Sequence, residues 1–194
     1  GMDDAALEAG MRLGARDPRS ERAASDLGRF GLGLKTASFS QARRLTVASR
    51  RAGGPVVCLR WDLDVLANDT QGSWHLLEGA DESSEGRLTL PADCGHGTIV
   101  LWENIDRIVS GSFKEKDFLE LIDRVERHLG MVFHRYLDRS GPYVELLINE
   151  QKVKLWDPFL SSHPATWRSP EAGIAGGASR VMAQAFVLPH KDRL

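Results

Sequence analysis

The chain has little cysteine: Cys58 and Cys94 are the two in 194 residues. Neither belongs to a C-x-x-C pair or sits beside clustered histidines. One disulfide stays open, but two buried free thiols in a cytoplasmic protein are the expected state. Charge of one sign is also missing. Lys and Arg number 25 against 27 Asp and Glu, a formal net charge of −2 with a pI near 6.3. Such a balance shows no basic footprint for nucleic acid, although a local patch can hide inside a neutral total. No apolar run is long enough to span a bilayer and no signal peptide is apparent, so a membrane partner is not expected. The six histidines are scattered, and His128 and His134 are not spaced to share a helix face as ligands four apart would. A metal site built from side chains alone is not expected.

What is present fits a soluble globular protein. Hydrophobic residues make up 42% and charged residues 27%. The length suffices for one good core, or for one domain and part of another.

The most informative stretch is Asp26 to Gln41, DLGRFGLGLKTASFSQ, with Gly28, Gly31 and Gly33 in a G-x-x-G-x-G spacing before an apolar segment. Glycine tolerates positive φ and lets main-chain amides approach a bulky ligand. A helix starting there aims unpaired N–H groups at the same place, an arrangement suited to a polyphosphate. A tight turn before a buried helix is the plain alternative. Two familiar phosphate motifs do not apply. A dinucleotide fingerprint has the opposite glycine order and follows a strand. A P-loop wants lysine at the position of Leu34, whereas Lys35 comes one residue late.

GRFGLGLKTASF resembles the third nucleotide-binding motif of the GHKL ATPases, the superfamily of gyrase, ninety-kilodalton heat-shock chaperones, histidine kinases and MutL. The likeness is greatest to the microrchidia-type proteins and related bacterial ATP-binding proteins. Gly1-Met2 and the following DDAALEAGMRLG resemble the end of the family's D-x-G-x-G-M motif and the helix after it. Gly95-His96-Gly97-Thr98, running into IVLW, resembles its late Gly-Thr motif. The three segments occur in the family's order.

The resemblance implies nucleotide contacts at Gly1, Met2, Gly28, Arg29, Phe30, Gly31, Leu32, Gly33, Leu34, Lys35 and Thr98. The cofactors it implies are ATP and magnesium, the metal held mostly by phosphate oxygens and water. Thr98 would help hold the adenine through the motif-two aspartate and an ordered water. Lys35 is expected to face phosphate or solvent, and Thr36 and Ser38 to be hydroxyls on the helix surface. The family's catalytic glutamate, asparagine metal ligand and adenine-reading aspartate precede this chain's first residue, so no catalytic residue is assigned within it. The chain is expected to be a fragment that starts inside a motif and is inactive by itself, its complete protein being an ATPase. Upstream sequence should carry Glu and Asn four apart on a helix, then Asp four residues before Gly1.

Read in order, Asp3 to Leu13 predicts an amphipathic helix burying Leu7 and Met11, capped by Asp3 or Asp4 and closed by Gly14. Ala15 to Leu27 has no apolar period and reads as a loop, which the resemblance makes an ATP lid. None of Arg16, Arg19 and Arg22 is singled out as a phosphate ligand. A helix over Leu32 to Ala42 should bury Leu34, Ala37 and Phe39. Leu45 to Ser49 alternates as a half-buried strand; VVCLRWDLD, SWHLLE and Thr98 to Trp102 read as further strands. Strands joined by hairpins, with the helices earlier in the chain, predict an α+β two-layer sandwich. By resemblance this is the Bergerat-type ATP-binding fold without its N-terminal part, over residues 1–108.

From 109 to 194 the resemblance implies the start of a ribosomal-protein-S5-like transducer domain. Ser112 and Glu115 predict a capping box for a helix to about Asp138, its stripe formed by Phe118, Ile122, Val125, Leu129, Val132 and Tyr136. Val144 to Ile148 and Val153 to Trp156 should form a hairpin about Asn149-Glu150, and VMAQAFVLPH a last strand. Lys191, the one late lysine, is not assigned to the γ-phosphate.

The leading functional expectation is a magnesium-dependent ATPase whose nucleotide orders the lid and drives homodimerisation. The alternatives are histidine-kinase-type phosphotransfer and a scaffold module with a degenerate site. A protein or DNA client stays open.

Overall fold

The computed structural model describes residues 1–14, 19, 30–70, 72–91, 94–109, 111–138, 141–176 and 179–193. The chain forms two units, Gly1–Ser112 and Phe113–Leu194. Both mix helices with antiparallel strands, so the fold class is α+β.

The first unit is built on a four-stranded antiparallel sheet of order β3-β2-β1-β4: β1 (Arg44–Arg50), β2 (Val56–Asp62), β3 (Leu77–Glu78) and β4 (Gly97–Glu103). Central β1 sets Val47 opposite Leu59 and Val100, and Ser49 opposite Val57 and Thr98. Helix α1 (Asp4–Met11) lies against this sheet. Leu7 and Met11 pack with Leu45, Val47, Leu59 and Trp61 into the core. Burying each such side chain is worth roughly 1.5–3 kcal/mol. Asp3 caps α1 by accepting from the Ala6 N–H at 3.0 Å, but the helix closes at Arg12, whose N–H bonds the Glu8 carbonyl at 2.9 Å, two residues before the expected Gly14, which has φ +65°.

The opposite face of the sheet carries a charged cluster beside Ala48, Cys58, Ile99 and Leu101. Arg44 donates to Asp62 at 2.8 Å, Arg60 to Asp81 at 3.1 Å, and the Ser84 hydroxyl to Glu103 at 2.8 Å. Burial works against the Arg44 charge, but the Asp62 bond and the neighbouring carboxylates outweigh it and raise its pKa. Strand β1 is therefore covered on both faces, where alternation predicted a half-buried strand.

Three other local expectations are corrected. The second strand stops at Asp62, because its carboxylate accepts from the Asp64 and Val65 N–H groups at 3.0 and 3.3 Å and starts α3 (Leu63–Asn68). SWHLLE contributes only the two residues of β3. Both cysteines are free, but Cys94 is exposed rather than buried; burial pushes the Cys58 thiol up.

In the second unit, α4 (Glu115–Val132) starts two residues later than the predicted box, with the Lys114 N–H donating to the Asp117 carboxylate at 2.9 Å. A break at Phe133 separates it from α5 (His134–Leu137). Most of the predicted stripe is exposed within this unit, including Phe118, Val125, Val132 and Tyr136. The firm contact of α4 is at buried Gly130, whose carbonyl accepts from Trp156 N–H at 3.2 Å. A β-carbon there would fall 2.5 Å from the Lys154 carbonyl oxygen, so only glycine allows this approach.

Strands β5 (Leu147–Ile148) and β6 (Gln151–Lys152) form the predicted hairpin through Asn149 and Glu150, both at positive φ. The return strand comes earlier than expected. Strand β7 (Trp167–Arg168) pairs with β10 (Phe186–Val187). The Gly/Ala-rich stretch before it forms strand β8 (Ala172–Gly176), paired with β9 (Ser179–Ala183). The predicted last strand is thus divided between β9 and β10.

Candidate functional site

Two of the sequence motifs meet on one buried hydroxyl. Ser49 shares the α1-facing side of β1 with Leu45 and Val47 and is fully buried. Its Oγ accepts from the Met2 N–H at 2.7 Å, lies 2.7 Å from the Thr98 Oγ1, and donates to the Gly97 carbonyl at 3.1 Å. Gly1-Met2 and Gly97-Thr98 are thereby brought together at adjoining ends of β1 and β4. Gly1 fits so closely that a β-carbon would sit 1.8 Å from the Arg50 carbonyl oxygen and 2.7 Å from that of Gly97. Glycine is required there by contact. Arg50 adds a further tie, donating to the carbonyl of Cys94 just before the Gly-Thr motif. Thr98 itself is exposed, while its hydroxyl lies against that of buried Ser49.

The glycine turn lies towards the other end of α1. Gly28 and Arg29, and the lid expectation apart from Arg19, fall outside the described residues. Phe30 is exposed, and Gly31 has φ +61°. Leu32 is the N-cap of α2 (Gly33–Phe39), with no side chain bonded to the cap. A β-carbon on Gly31 or Gly33 would meet nothing within 4 Å, so both face open space. The first helical N–H groups there have no intrahelical acceptor.

Helix α2 is rotated from its expected phase. Leu34 and Ala37 are exposed, while Lys35 and Ser38 are buried. The Ser38 hydroxyl donates to the Leu34 carbonyl at 2.7 Å and accepts from the Trp102 indole N–H at 2.8 Å, tying α2 to β4. It is no surface hydroxyl, unlike Thr36, which bonds back to the Leu32 carbonyl. Lys35 is 2% exposed and donates from Nζ to the carbonyls of Gly10, at 2.7 Å, and of Gly31. It faces neither solvent nor an open phosphate position. Burial alone pushes its pKa down.

Helix α1 thus spans the two clusters. Its eight residues are about 12 Å long. The Ser49–Thr98 cluster lies beside its start, and the Lys35 bond fixes the glycine turn near its end. Sequence reading missed Ser49 as the meeting point. The available signal was a hydroxyl at the place in the β1 alternation where the next apolar residue belonged.

Among the described residues, no three His, Cys, Asp or Glu side chains gather as a metal site, and no helix is long and apolar enough to cross a membrane. The second unit has its own cavity of about 290 Å³, lined by His134, Arg135, Asp157, Phe159 and Arg168 among others. None of the motif residues line it.

No curated protein and no solved structure matches the chain. A family model does, covering residues 1–98, half of the length, and hence all three motifs. The chain belongs to the histidine kinase-, DNA gyrase B- and HSP90-like ATPases.

Proposed function

We propose that the first unit binds ATP along α1, with adenine at Gly1, Met2, Ser49 and Thr98 and phosphates at the turn from Gly28 to Lys35. The observation that carries this reading is the convergence of Gly1-Met2 and Gly97-Thr98 on the Ser49 hydroxyl. A purine needs a polar edge contact in a shaped recess, and Thr98, an exposed residue, supplies a hydroxyl held by a buried partner. The triphosphate needs main-chain donors, which the glycine turn leaves unpaired.

Residues 1–108 are in this reading part of a Bergerat-type two-layer domain, and 109–194 the first part of an S5-like transducer, in a protein of microrchidia type. Nucleotide orders the lid over residues 15–27 and promotes dimerisation. Magnesium enters with the nucleotide, held mostly by phosphate oxygens and water. It would supply charge neutralisation on the phosphates. Hydrolysis also needs a carboxylate to take a proton from the attacking water. The residues named here bind and orient, and none is that base: Asp3, the nearest carboxylate in sequence to Gly1-Met2, caps α1 and pairs with Arg51 at 2.8 Å.

Calorimetric titration of the intact protein with a non-hydrolysable ATP analogue tests the assignment. Thr98→Val should weaken binding by about tenfold, the worth of one lost hydrogen bond near 1–1.5 kcal/mol. Equal affinity in the variant and the parent would remove Thr98 from the site.

A further inference from the structure

Lys35 is the largest fully buried side chain among the described residues. Its ammonium rests on two neutral carbonyl oxygens, those of Gly10 and Gly31, and among the described residues it forms no ion pair. A buried charge without a counter-charge is costly, and a thioether of similar length would avoid that cost. Part of the cost is offset at Gly10, one of the last four carbonyls of α1, where the helix dipole is negative.

The bond to Gly31 has a geometric consequence. A trans peptide sets its C=O and the following N–H on opposite sides. Holding the Gly31 carbonyl inward on Lys35 turns the N–H of Leu32 outward, away from the buried ammonium. The positive φ of Gly31 permits that orientation. Among the described residues the Leu32 N–H has no acceptor. The orientation of one donor at the turn therefore depends on a side chain that faces inward.

We propose that Lys35 is the positioning residue of the phosphate turn: it fixes the Gly31–Leu32 peptide with its N–H outward, and an arriving polyphosphate supplies the counter-charge its ammonium lacks. This rests on the nucleotide reading above. The lysine acts through the backbone it holds and through its field, without reaching out to the ligand. Protein stability is given up at this position in return for phosphate affinity.

Lys35→Met in the intact protein separates that role from simple packing. Three quantities are measured: thermal unfolding without nucleotide, affinity for a non-hydrolysable ATP analogue, and affinity for adenosine. The variant should unfold at the wild-type temperature or above it. It should bind the ATP analogue at least tenfold more weakly and bind adenosine as the wild type does. Undiminished ATP affinity overturns the proposal, as does parallel loss of ATP and adenosine. Failure of the variant to fold overturns it as well, because the ammonium would then be needed by the fold. If the wild type takes up adenosine but gains nothing from the phosphates, the turn is not a phosphate site and the proposal falls with it. If Thr98→Val leaves adenosine binding unchanged while Lys35→Met still separates ATP from adenosine, the purine assignment fails and Lys35 keeps its role.

Discussion

Replacing Gly33 by alanine separates the needs of the fold from those of the ligand. A β-carbon at Gly33 meets nothing within 4 Å, and its φ lies outside the positive range. The free protein should accept the methyl group, with up to about 1 kcal/mol gained from the helix preference of alanine over glycine. Gly31 differs: its φ of +61° makes any side chain strained, at roughly 1–2 kcal/mol. For a unit of this size, 1 kcal/mol corresponds to about 4–8 °C in unfolding temperature. Gly31→Ala should therefore melt several degrees lower, whereas Gly33→Ala should melt at the parental temperature or slightly higher. Binding should follow another order. If phosphate oxygens sit on the amides of this turn, the Gly33 methyl group occupies their approach. Losing one charge-assisted bond costs about 1.5–3 kcal/mol, or about 10–150-fold in affinity. Thermal unfolding and calorimetric titration with an ATP analogue give both numbers. Gly33→Ala binding the analogue within twofold of the parent would refute the phosphate turn, since the methyl group would then stand where no ligand comes.

Two further predictions concern the charged layer on the other face of the sheet. Asp62 is 2% exposed and accepts from Arg44 at 2.8 Å, while Asp81 and Glu103 lie 3.5 and 4.0 Å from the same guanidinium, so Asp62→Asn removes one of three partners and should cost about 1.5–3 kcal/mol in denaturant unfolding. The Ser83 hydrogen bonds, helped by Arg44 and Arg60, hold the Asp81 carboxyl below its usual value of 3.8. A lowered folded pKa gives stability that is present above pH 3.8 and lost as pH falls through the folded value. Asp81→Asn should therefore flatten the acid limb of a pH–stability profile and leave its neutral region the less affected; an unchanged acid limb would count against this role.

Much of the first unit was legible because its signals are local. The Asp3 cap and the spacing of Leu7 and Met11 depend on a few neighbouring residues, and α1 forms as they predict, although it closes at Arg12 rather than at the expected Gly14. The β1 and β4 strands and the Asn149-Glu150 turn are of the same kind. Helix α2 was misread because its seven residues make barely two turns, too few for apolar spacing to define a face. Its phase follows instead from the Ser38–Trp102 bond and the Lys35–Gly10 bond, partners 64 and 25 residues away. The α4 stripe was visible in the sequence, but an amphipathic period does not say whether anything covers it, and within the second unit most of it stays exposed.

By itself, the order of residues determined the family and the three glycine-bearing motifs, because contact with a ligand limits which side chains a turn can carry. It also determined the strand that carries the Gly-Thr motif, through alternation along the chain. Only the tertiary structure decided that Gly1-Met2 and Thr98 meet on Ser49, since strand register joins positions nearly fifty residues apart. It decided as well that Lys35 turns inward. A lysine in a sequence carries a charge but no direction, and the carbonyls that receive it exist only once α1 and the glycine turn have packed together.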